Sequence, residues 1–320
     1  MSESEKTKSS PNSTMPTGIV VLGLPRSGTT LLRRVLNAHP SIACGGETFL
    51  LRATAQFLEG DSIVDGIDYG VIGGLQSAGF STDEILTRLR TLAFSFLQDY
   101  AENRGKPRWA SKTAVDSFYV AELDELYGDH VKFICLLRQG LDSVCSLGDL
   151  CDANEVFIKE LHKYIVRYSR PAEAFAHAWC DVTADLLDLS HRRPETTLLC
   201  RYEDLASAPE KTLTEILDFL GEDFDEDLIS RAMSGERVQG LGDWKTYARA
   251  GIDTTSIDRW KSLRPDVVSR LGQIMNPLLE RCGYERVPVE PLPEHGEAIR
   301  RYELSMMFNA VRATGDVDED

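Results

Sequence analysis

The segment 23–30, which reads GLPRSGTT, contains the residues best suited to bind a small anion. An aliphatic run over 18–22 precedes it and predicts a buried parallel strand, and the segment 29–37 that follows has the composition of a helix. A glycine-bounded loop between a strand and a helix points backbone N–H groups at a ligand, and the helix N-terminus adds partial positive charge. The sequence therefore predicts an anion-binding loop.

Gly23 and Gly28 have the spacing of the nucleotide-binding loop G-x-x-x-x-G-K-[ST], but Thr29 stands where that loop requires lysine. A phosphotransferase would therefore lack the cation that holds its β- and γ-phosphates. This chain places its cation inside the loop, as Arg26. An arginine within a glycine-bounded turn favours contact with an anion over simple exposure to solvent.

Cations also end three further runs that predict strands, over 107–113, 131–137 and 196–200. These cations are Lys112, Arg138 and Arg201. Ligands of open parallel sheets bind at the carboxyl ends of the strands, so four cations at strand ends predict an anion pocket. The cluster is more telling because the chain as a whole carries a formal charge of −16.

The alternation of strand, loop and helix predicts an α/β fold of three layers, with a mostly parallel sheet and helices on both faces. Further helices are expected over 81–100, 117–126, 142–149, 209–220 and 266–282, and over 154–192 with an interruption at Pro171. The glycine-rich segment 61–79 predicts a surface loop or lid.

The expected organisation is a disordered tail over 1–16, one domain over 17–287, and a linker, C-terminal helix and acidic tail over 288–320. The apolar cluster 306–308 is expected to pack on the domain or on a second subunit, so a homodimer is one expectation.

Composition narrows the class of protein. At 320 residues and 42% hydrophobic residues, the chain can bury a sizeable core, while its negative charge disfavours a nucleic-acid partner. Seven cysteines without a C-x-x-C pair indicate reduced thiols, with no disulfide framework and no zinc site. Neither an apolar signal-peptide core nor a run of membrane-spanning length occurs, so we expect a cytoplasmic protein without a membrane partner.

Four segments resemble the sulfotransferases that use 3′-phosphoadenosine 5′-phosphosulfate (PAPS). They are GLPRSGTTLL over 23–32, LLRQGLDSVCS over 136–146, RYEDL over 201–205 and GIDTTSIDRW over 251–260. The first is the most specific, and the resemblance covers about 17–284. It is strongest to the tyrosylprotein-sulfotransferase branch and to bacterial and polyketide-associated small-molecule branches. The resemblance implies a P-loop NTPase-like sulfotransferase fold, PAPS as the sulfuryl donor and no required metal.

The resemblance also implies roles for particular residues. It places Glu47 as the catalytic base, with Lys112 and Arg26 stabilising charge around the transferred group. It implies donor contacts from Arg26, Ser27, Gly28, Thr29, Thr30, Arg138, Ser146, Tyr202 and Arg259. From the residues alone, Glu47 could equally be an acid in the first turn of a helix. Two positions depart from the family pattern, because Leu150 replaces an arginine of one branch and Gly140 replaces a common proline.

The expected function is sulfuryl transfer from PAPS to a hydroxyl of a small-molecule or peptide acceptor, with segments 61–79 and 154–168 lining the acceptor site. Two alternatives stay open from the sequence. One is a P-loop kinase-like phosphotransferase, which the threonine at the lysine position weakens. The other is a nucleotide-binding regulatory protein that keeps Arg138 and Ser146 without needing Glu47.

Overall fold

The computed structural model describes residues 18–60, 62–64, 67–68, 70–155, 157–235, 251–290, 299–300 and 302–307. The predicted tail 1–16 lies outside these residues, as do 291–298 of the predicted linker and the acidic tail after 307. No helix in this part of the chain is both long and apolar enough to cross a membrane.

Seven strands are described. They are β1 (Gly18–Leu22), β2 (Ile42–Cys44), β3 (Ser62–Val64), β4 (Ile67–Asp68), β5 (Arg108–Lys112), β6 (Val131–Leu137) and β7 (Thr197–Arg201). Five of them form one parallel sheet in the order β2-β5-β1-β6-β7, and β3 and β4 form a separate hairpin. The central position of β1 explains its composition, because a strand that is paired on both edges and covered on both faces is aliphatic throughout.

The helices of the first half are α1 (Thr29–Ala38), α2 (Leu50–Ala55), α3 (Val71–Ser77), α4 (Thr82–Glu102), α5 (Val120–Tyr127) and α6 (Gly140–Asn154). Those of the second half are α7 (His162–Arg167), α8 (Pro171–Arg192), α9 (Tyr202–Ser207), α10 (Pro209–Leu220), α11 (Leu228–Ser234) and α12 (Pro265–Arg281). Short 3₁₀ helices span Ala114–Phe118, Lys159–Leu161 and Arg259–Ser262.

The sheet separates two apolar cores, as alternating side chains of a strand require. Val20 and Leu22 of β1 belong to the core formed with α4, α5, α6, α8 and α12. Ile19 and Val21 of the same strand belong to the core formed with α1, α9, α10 and α11. Helices therefore cover both faces, and the predicted three-layer α/β fold is confirmed.

Several helix ends follow from local chemistry. Ser81 and Glu84 form a capping box that starts α4, since each side chain accepts the other's backbone N–H. Pro171 is the first residue of α8, a position where its missing N–H costs nothing. The predicted interruption at Pro171 is thus the boundary between α7 and α8.

The segment 61–79 differs from the predicted irregular loop. It contains the β3–β4 hairpin and the helix α3. Ile72 and Leu75 of α3 pack against the core, so tertiary contact outweighs the low helix propensity of the glycines in this segment.

The C-terminal residues 299–300 and 302–307 are helical, but their large apolar side chains are exposed. These are Ile299, Tyr302, Leu304, Met306 and Met307. The predicted packing of this segment on the domain is therefore not seen in the described residues, and the homodimer stays a prediction.

Candidate active site

A cavity of about 370 Å³ opens at the carboxyl ends of β1, β5 and β6. All but one of the residues predicted for catalysis or donor binding line it. They are Arg26, Gly28, Thr29, Thr30, Glu47, Lys112, Arg138, Ser146, Tyr202 and Arg259. Ser27 is the exception, since it is 2% exposed and does not line the cavity. Residues from six separate stretches of chain therefore meet at the predicted edge of the sheet.

The loop between β1 and α1 takes its shape from two left-handed residues. Arg26 has φ 78° and Gly28 has φ 92°, and the Ser27 N–H donates to the Leu24 carbonyl at 3.0 Å. A Cβ on Gly28 would lie 2.4 Å from the Tyr202 ring, so only glycine fits there. Arg26, held in a conformation that non-glycine residues rarely adopt, donates from Nε to Ser146 Oγ at 3.1 Å.

Arg138 ties the loop to two other parts of the site. It donates to the Arg26 carbonyl at 2.7 Å and to the Ser256 carbonyl at 2.5 Å, and its guanidinium lies 4.7 Å from the centre of the Tyr202 ring. Trp179 Nε1 donates to the Arg138 carbonyl at 3.0 Å and so fixes the backbone at this strand end. Burial lowers the pKa of Arg138, and its buried Nε has no hydrogen-bond partner in the described structure. Arg138 lines the cavity, where a guanidinium suits an anionic ligand.

Lys112 joins the predicted base to the loop. Its Nζ lies 2.6 Å from Glu47 Oε1 and 3.2 Å from Thr30 Oγ1, and the residue is only 2% exposed. The Ala114 N–H also donates to Glu47 Oε1, at 3.3 Å. The alternative of Glu47 as a helix cap is not seen, because Thr48 Oγ1 accepts from Leu50 N–H at the start of α2.

Arg259 lies on a stretch that α6 holds in place. Asp142 of α6 accepts from the backbone N–H groups of Asp258 at 2.8 Å and Trp260 at 2.9 Å. Arg259 itself donates to Asp149 Oδ2 at 2.7 Å. Asp142, a buried acid of α6, therefore fixes the segment that places Arg259 at the cavity.

One predicted cation does not reach the cavity. Arg201 donates to the Gly283 carbonyl at 3.4 Å, and its guanidinium lies 4.1 Å from the centre of the Tyr284 ring. The next residue, Tyr202, which begins α9, lines the cavity in its place. The expectation of four strand-end cations in one pocket was therefore wrong for Arg201.

Two charged cavity residues on the helices, Arg34 and Arg52, were not among the predicted site residues. Arg34 lies one turn after Thr30 on α1 and donates to the Met233 carbonyl at 2.8 Å. Arg52 of α2 forms an ion pair with Glu160 at 2.7 Å. Thr30 and Arg34 are four residues apart and therefore lie on one helix face, so this spacing could have indicated that Arg34 also lines the cavity. No comparable pattern indicated the ion pair, whose partners are far apart in sequence.

Strained backbone marks the border of the cavity. Within the described chain, four non-glycine residues have positive φ: Arg26 (78°), Phe49 (55°), Glu155 (55°) and Asp258 (62°). The first two line the cavity and the other two lie within two residues of its lining. Such strain persists where the surrounding structure holds it and is concentrated at functional sites.

Five apolar residues form a part of the cavity lining that we call the apolar wall: Phe49, Val115, Leu150, Phe157 and Ile158. The same chain segments also contribute Arg52, Asn154, Lys159 and Glu160 to the lining. Residues 154 and 157–160 of the segment predicted to line the acceptor site line this cavity, whereas no described residue of 61–79 does, and the place of the acceptor stays a prediction. Leu150, the departure noted above, contributes to this apolar wall.

The sequence model described as "Sulfotransferase family" matches residues 16–226. This chain belongs to the sulfotransferase family and is an enzyme that transfers sulfate. The match excludes the kinase-like and non-catalytic alternatives as descriptions of the chain.

Named relatives and a solved structure agree with the family match. Protein-tyrosine sulfotransferase 1 of Danio rerio is 28% identical over 86% of this chain and 74% of its own. Nodulation protein NoeE of Sinorhizobium fredii is 25% identical over 86% of this chain and 67% of its own. The sulfotransferase domain of the Synechococcus PCC 7002 olefin synthase has the same fold, with a TM-score of 0.59 at 24% identity, over 90% of this chain and 100% of that domain.

Proposed function

We propose that this enzyme transfers the sulfuryl group of PAPS to a hydroxyl of a small, neutral, apolar acceptor. The main support for this proposal is the position of Lys112, whose ammonium lies 2.6 Å from Glu47 Oε1 and 3.2 Å from Thr30 Oγ1. One cation thereby joins the residue suited to take a proton from an acceptor to the loop suited to hold an anionic donor.

The residues around the cavity fit an anionic donor. Arg26, Lys112 and Arg138 face one cavity in a chain of formal charge −16, which makes this edge of the sheet a local positive site. PAPS supplies the sulfuryl group when it is bound.

In this arrangement Glu47 removes the proton of the acceptor hydroxyl as the new oxygen–sulfur bond forms. Lys112 and Arg26 stabilise the negative charge that develops on the departing bridging oxygen. The loop residues Thr29 and Thr30 hold the donor, while the apolar wall excludes water from the acceptor oxygen.

The apolar wall supports a small acceptor without charge. Arg52 and Glu160 pair with each other at 2.7 Å, so Lys159 is the remaining charged residue that these segments bring to the cavity. An acidic peptide would in addition meet the repulsion of a strongly negative protein. The relatives named protein-tyrosine sulfotransferases make a tyrosyl peptide the second candidate acceptor.

Mass spectrometry tests both candidates. The protein is incubated with PAPS and either apolar phenols and alcohols or tyrosyl peptides, and each product is examined for an added sulfate. We expect the apolar small molecules to be sulfated. Sulfation of the peptides alone would reverse the choice of acceptor, and no sulfation of a broad panel would contradict PAPS as the donor.

Phe157→Ala should raise KM for an apolar acceptor about tenfold while leaving donor affinity unchanged, because one apolar group in a pocket typically changes binding about 10- to 200-fold. Phe157 is part of the apolar wall, whereas Phe80 is a phenylalanine of similar exposure that does not line the cavity. Phe80→Ala is therefore the matched control. Steady-state kinetics with each variant would contradict the placement of the acceptor if both had the same KM.

The product nucleotide 3′,5′-phosphoadenosine should raise the melting temperature more than ADP or ATP, and without Mg²⁺. The reason is Thr29 at the lysine position, together with Arg138 as a separate anchor. At a ligand concentration about 100 times Kd, we expect a gain of about 5 °C in differential scanning fluorimetry. A larger, Mg²⁺-dependent gain with ATP would contradict the proposed donor.

A further inference from the structure

Asp116 is a buried acid beside the cavity that the proposed reaction does not use. It lies in the 3₁₀ helix Ala114–Phe118, which directly follows β5. The residue is 0% exposed, and neither carboxylate oxygen has a hydrogen-bond partner in the described structure. The 3₁₀ helix begins with Ala114, whose N–H donates to Glu47 Oε1. Asp116 is therefore two residues from a backbone donor that positions the predicted base.

Four titratable or charged groups face Asp116 from the surrounding elements. Glu47 approaches from the segment before α2, Arg52 from α2, Lys112 from β5 and the Tyr127 hydroxyl from α5. The two cations are engaged elsewhere, since Arg52 pairs with Glu160 and Lys112 with Glu47. The Tyr127 hydroxyl lies 2.6 Å from Thr54 Oγ1. None of these side chains hydrogen-bonds Asp116, and the Arg52 backbone N–H acts on its carboxylate only as a weak donor that favours the charged form.

Burial raises the pKa of Asp116 to about 8, and the negative charge of Glu47 acts in the same direction. An ionised carboxylate that is buried without a side-chain partner is strongly unfavourable, so the group keeps its proton at neutral pH. Arg52 and Lys112 oppose this effect and bring the transition within reach of ordinary alkaline conditions.

We infer that Asp116 is a positioning residue. Because it keeps its proton and stays neutral, it leaves the Lys112 ammonium directed at Glu47 and the donor loop. The inference rests on the proposed roles of Glu47 and Lys112. When Asp116 releases its proton to solvent, the new carboxylate is a second negative charge near the Lys112 ammonium. It competes with Glu47 and Thr30 for that ammonium and repels an anionic donor.

We therefore predict that affinity for the donor nucleotide falls at alkaline pH and that ionisation of Asp116 causes this fall. In the wild type, affinity for 3′,5′-phosphoadenosine should fall about tenfold as the pH rises from about 7 to about 9.5, because a charge added near the site in a medium of effective dielectric about 20 acts over several Å. In Asp116→Asn, which resembles the protonated acid in size and charge, this loss should be absent.

The matched control is Asp185→Asn. Burial also raises the pKa of Asp185, but the groups that act on it, chiefly Asp181 and Asp188, lie on α8 and do not line the cavity. This variant should keep the full alkaline loss of the wild type. Asp116→Ser gives a second neutral variant if the amide is poorly tolerated.

Calorimetric titration of 3′,5′-phosphoadenosine across this pH range measures the effect, and the infrared difference spectrum between the wild type and Asp116→Asn measures the protonated carboxyl of Asp116. An alkaline loss that persists in both Asp116 variants, or no protonated carboxyl band at neutral pH, would overturn the inference. If the wild type binds no 3′,5′-phosphoadenosine at any pH, the proposed function fails, while the infrared titration still reports whether Asp116 holds a proton.

Discussion

Glu47→Gln is expected to reduce turnover by about 10²- to 10⁴-fold, the usual contribution of a positioned general base, while donor affinity is kept. The amide has the size of the acid, and its carbonyl oxygen can still accept from Lys112 and from the Ala114 N–H. What it loses is the ability to take a proton from the acceptor hydroxyl. Single-turnover assays with a sulfated product readout measure the effect on the chemical step.

The matched control for this substitution is Glu160→Gln, which removes a carboxylate from the same cavity. Glu160 pairs with Arg52 and does not contact Lys112, so its loss should change turnover far less. A thermal melt verifies that each variant is folded, because removing one partner of a buried ion pair can destabilise a protein. Near wild-type turnover in Glu47→Gln would show that the base is another residue.

The parts of the site that could be predicted from sequence are those fixed by local chain order. Gly23, Arg26 and Gly28 lie between a strand and a helix, so their loop has to end at the carboxyl edge of the sheet. Lys112 ends β5 and Arg138 directly follows β6, and these two parallel strands flank β1 on either side. Parallel pairing alone therefore brings three separate cations to one edge.

Arg201 shows that a position at the end of a parallel strand is not enough to place a side chain in the cavity. The register pairs it with Leu137, the last residue of β6, so it also ends its strand at the correct edge. Its strand is the outermost of the sheet and continues directly into α9, and its guanidinium packs on Tyr284 instead of entering the cavity. The orientation of an edge side chain depends on what packs outside the sheet, and strand periodicity does not contain that information.

Asp116 and Arg52 could not be predicted for a related reason. They are 64 positions apart, and their proximity depends on how α2 packs against the turn after β5. Nothing in either local sequence marks the carboxyl as unpartnered, since an aspartate in a polar turn is ordinarily solvated. The glycine-rich segment containing α3 makes the same point for secondary structure, because contacts with the core decide its conformation.

The second large effect concerns Arg138, which closes β6 at the cavity. Arg138→Ala should weaken 3′,5′-phosphoadenosine about 10- to 100-fold, since a hydrogen bond to a charged group contributes roughly 1.5–3 kcal/mol. Binding of AMP, which lacks the 3′-phosphate, should change little. Ser146 is the other residue predicted to contact the 3′-phosphate, and its Oγ accepts from Arg26 Nε at 3.1 Å.

Arg138 also donates to the Arg26 carbonyl, so its removal could loosen the donor loop as well. The comparison of two nucleotides separates these effects, because a loosened loop weakens AMP and 3′,5′-phosphoadenosine alike. Arg201→Ala is the matched control, as it removes an arginine at the end of the adjacent strand without touching the cavity. Isothermal titration of both nucleotides against the three proteins gives the coupling as a difference of binding free energies. Equal weakening of the two nucleotides by Arg138→Ala would assign Arg138 to supporting the loop, and the 3′-phosphate contact would then have to come from other residues.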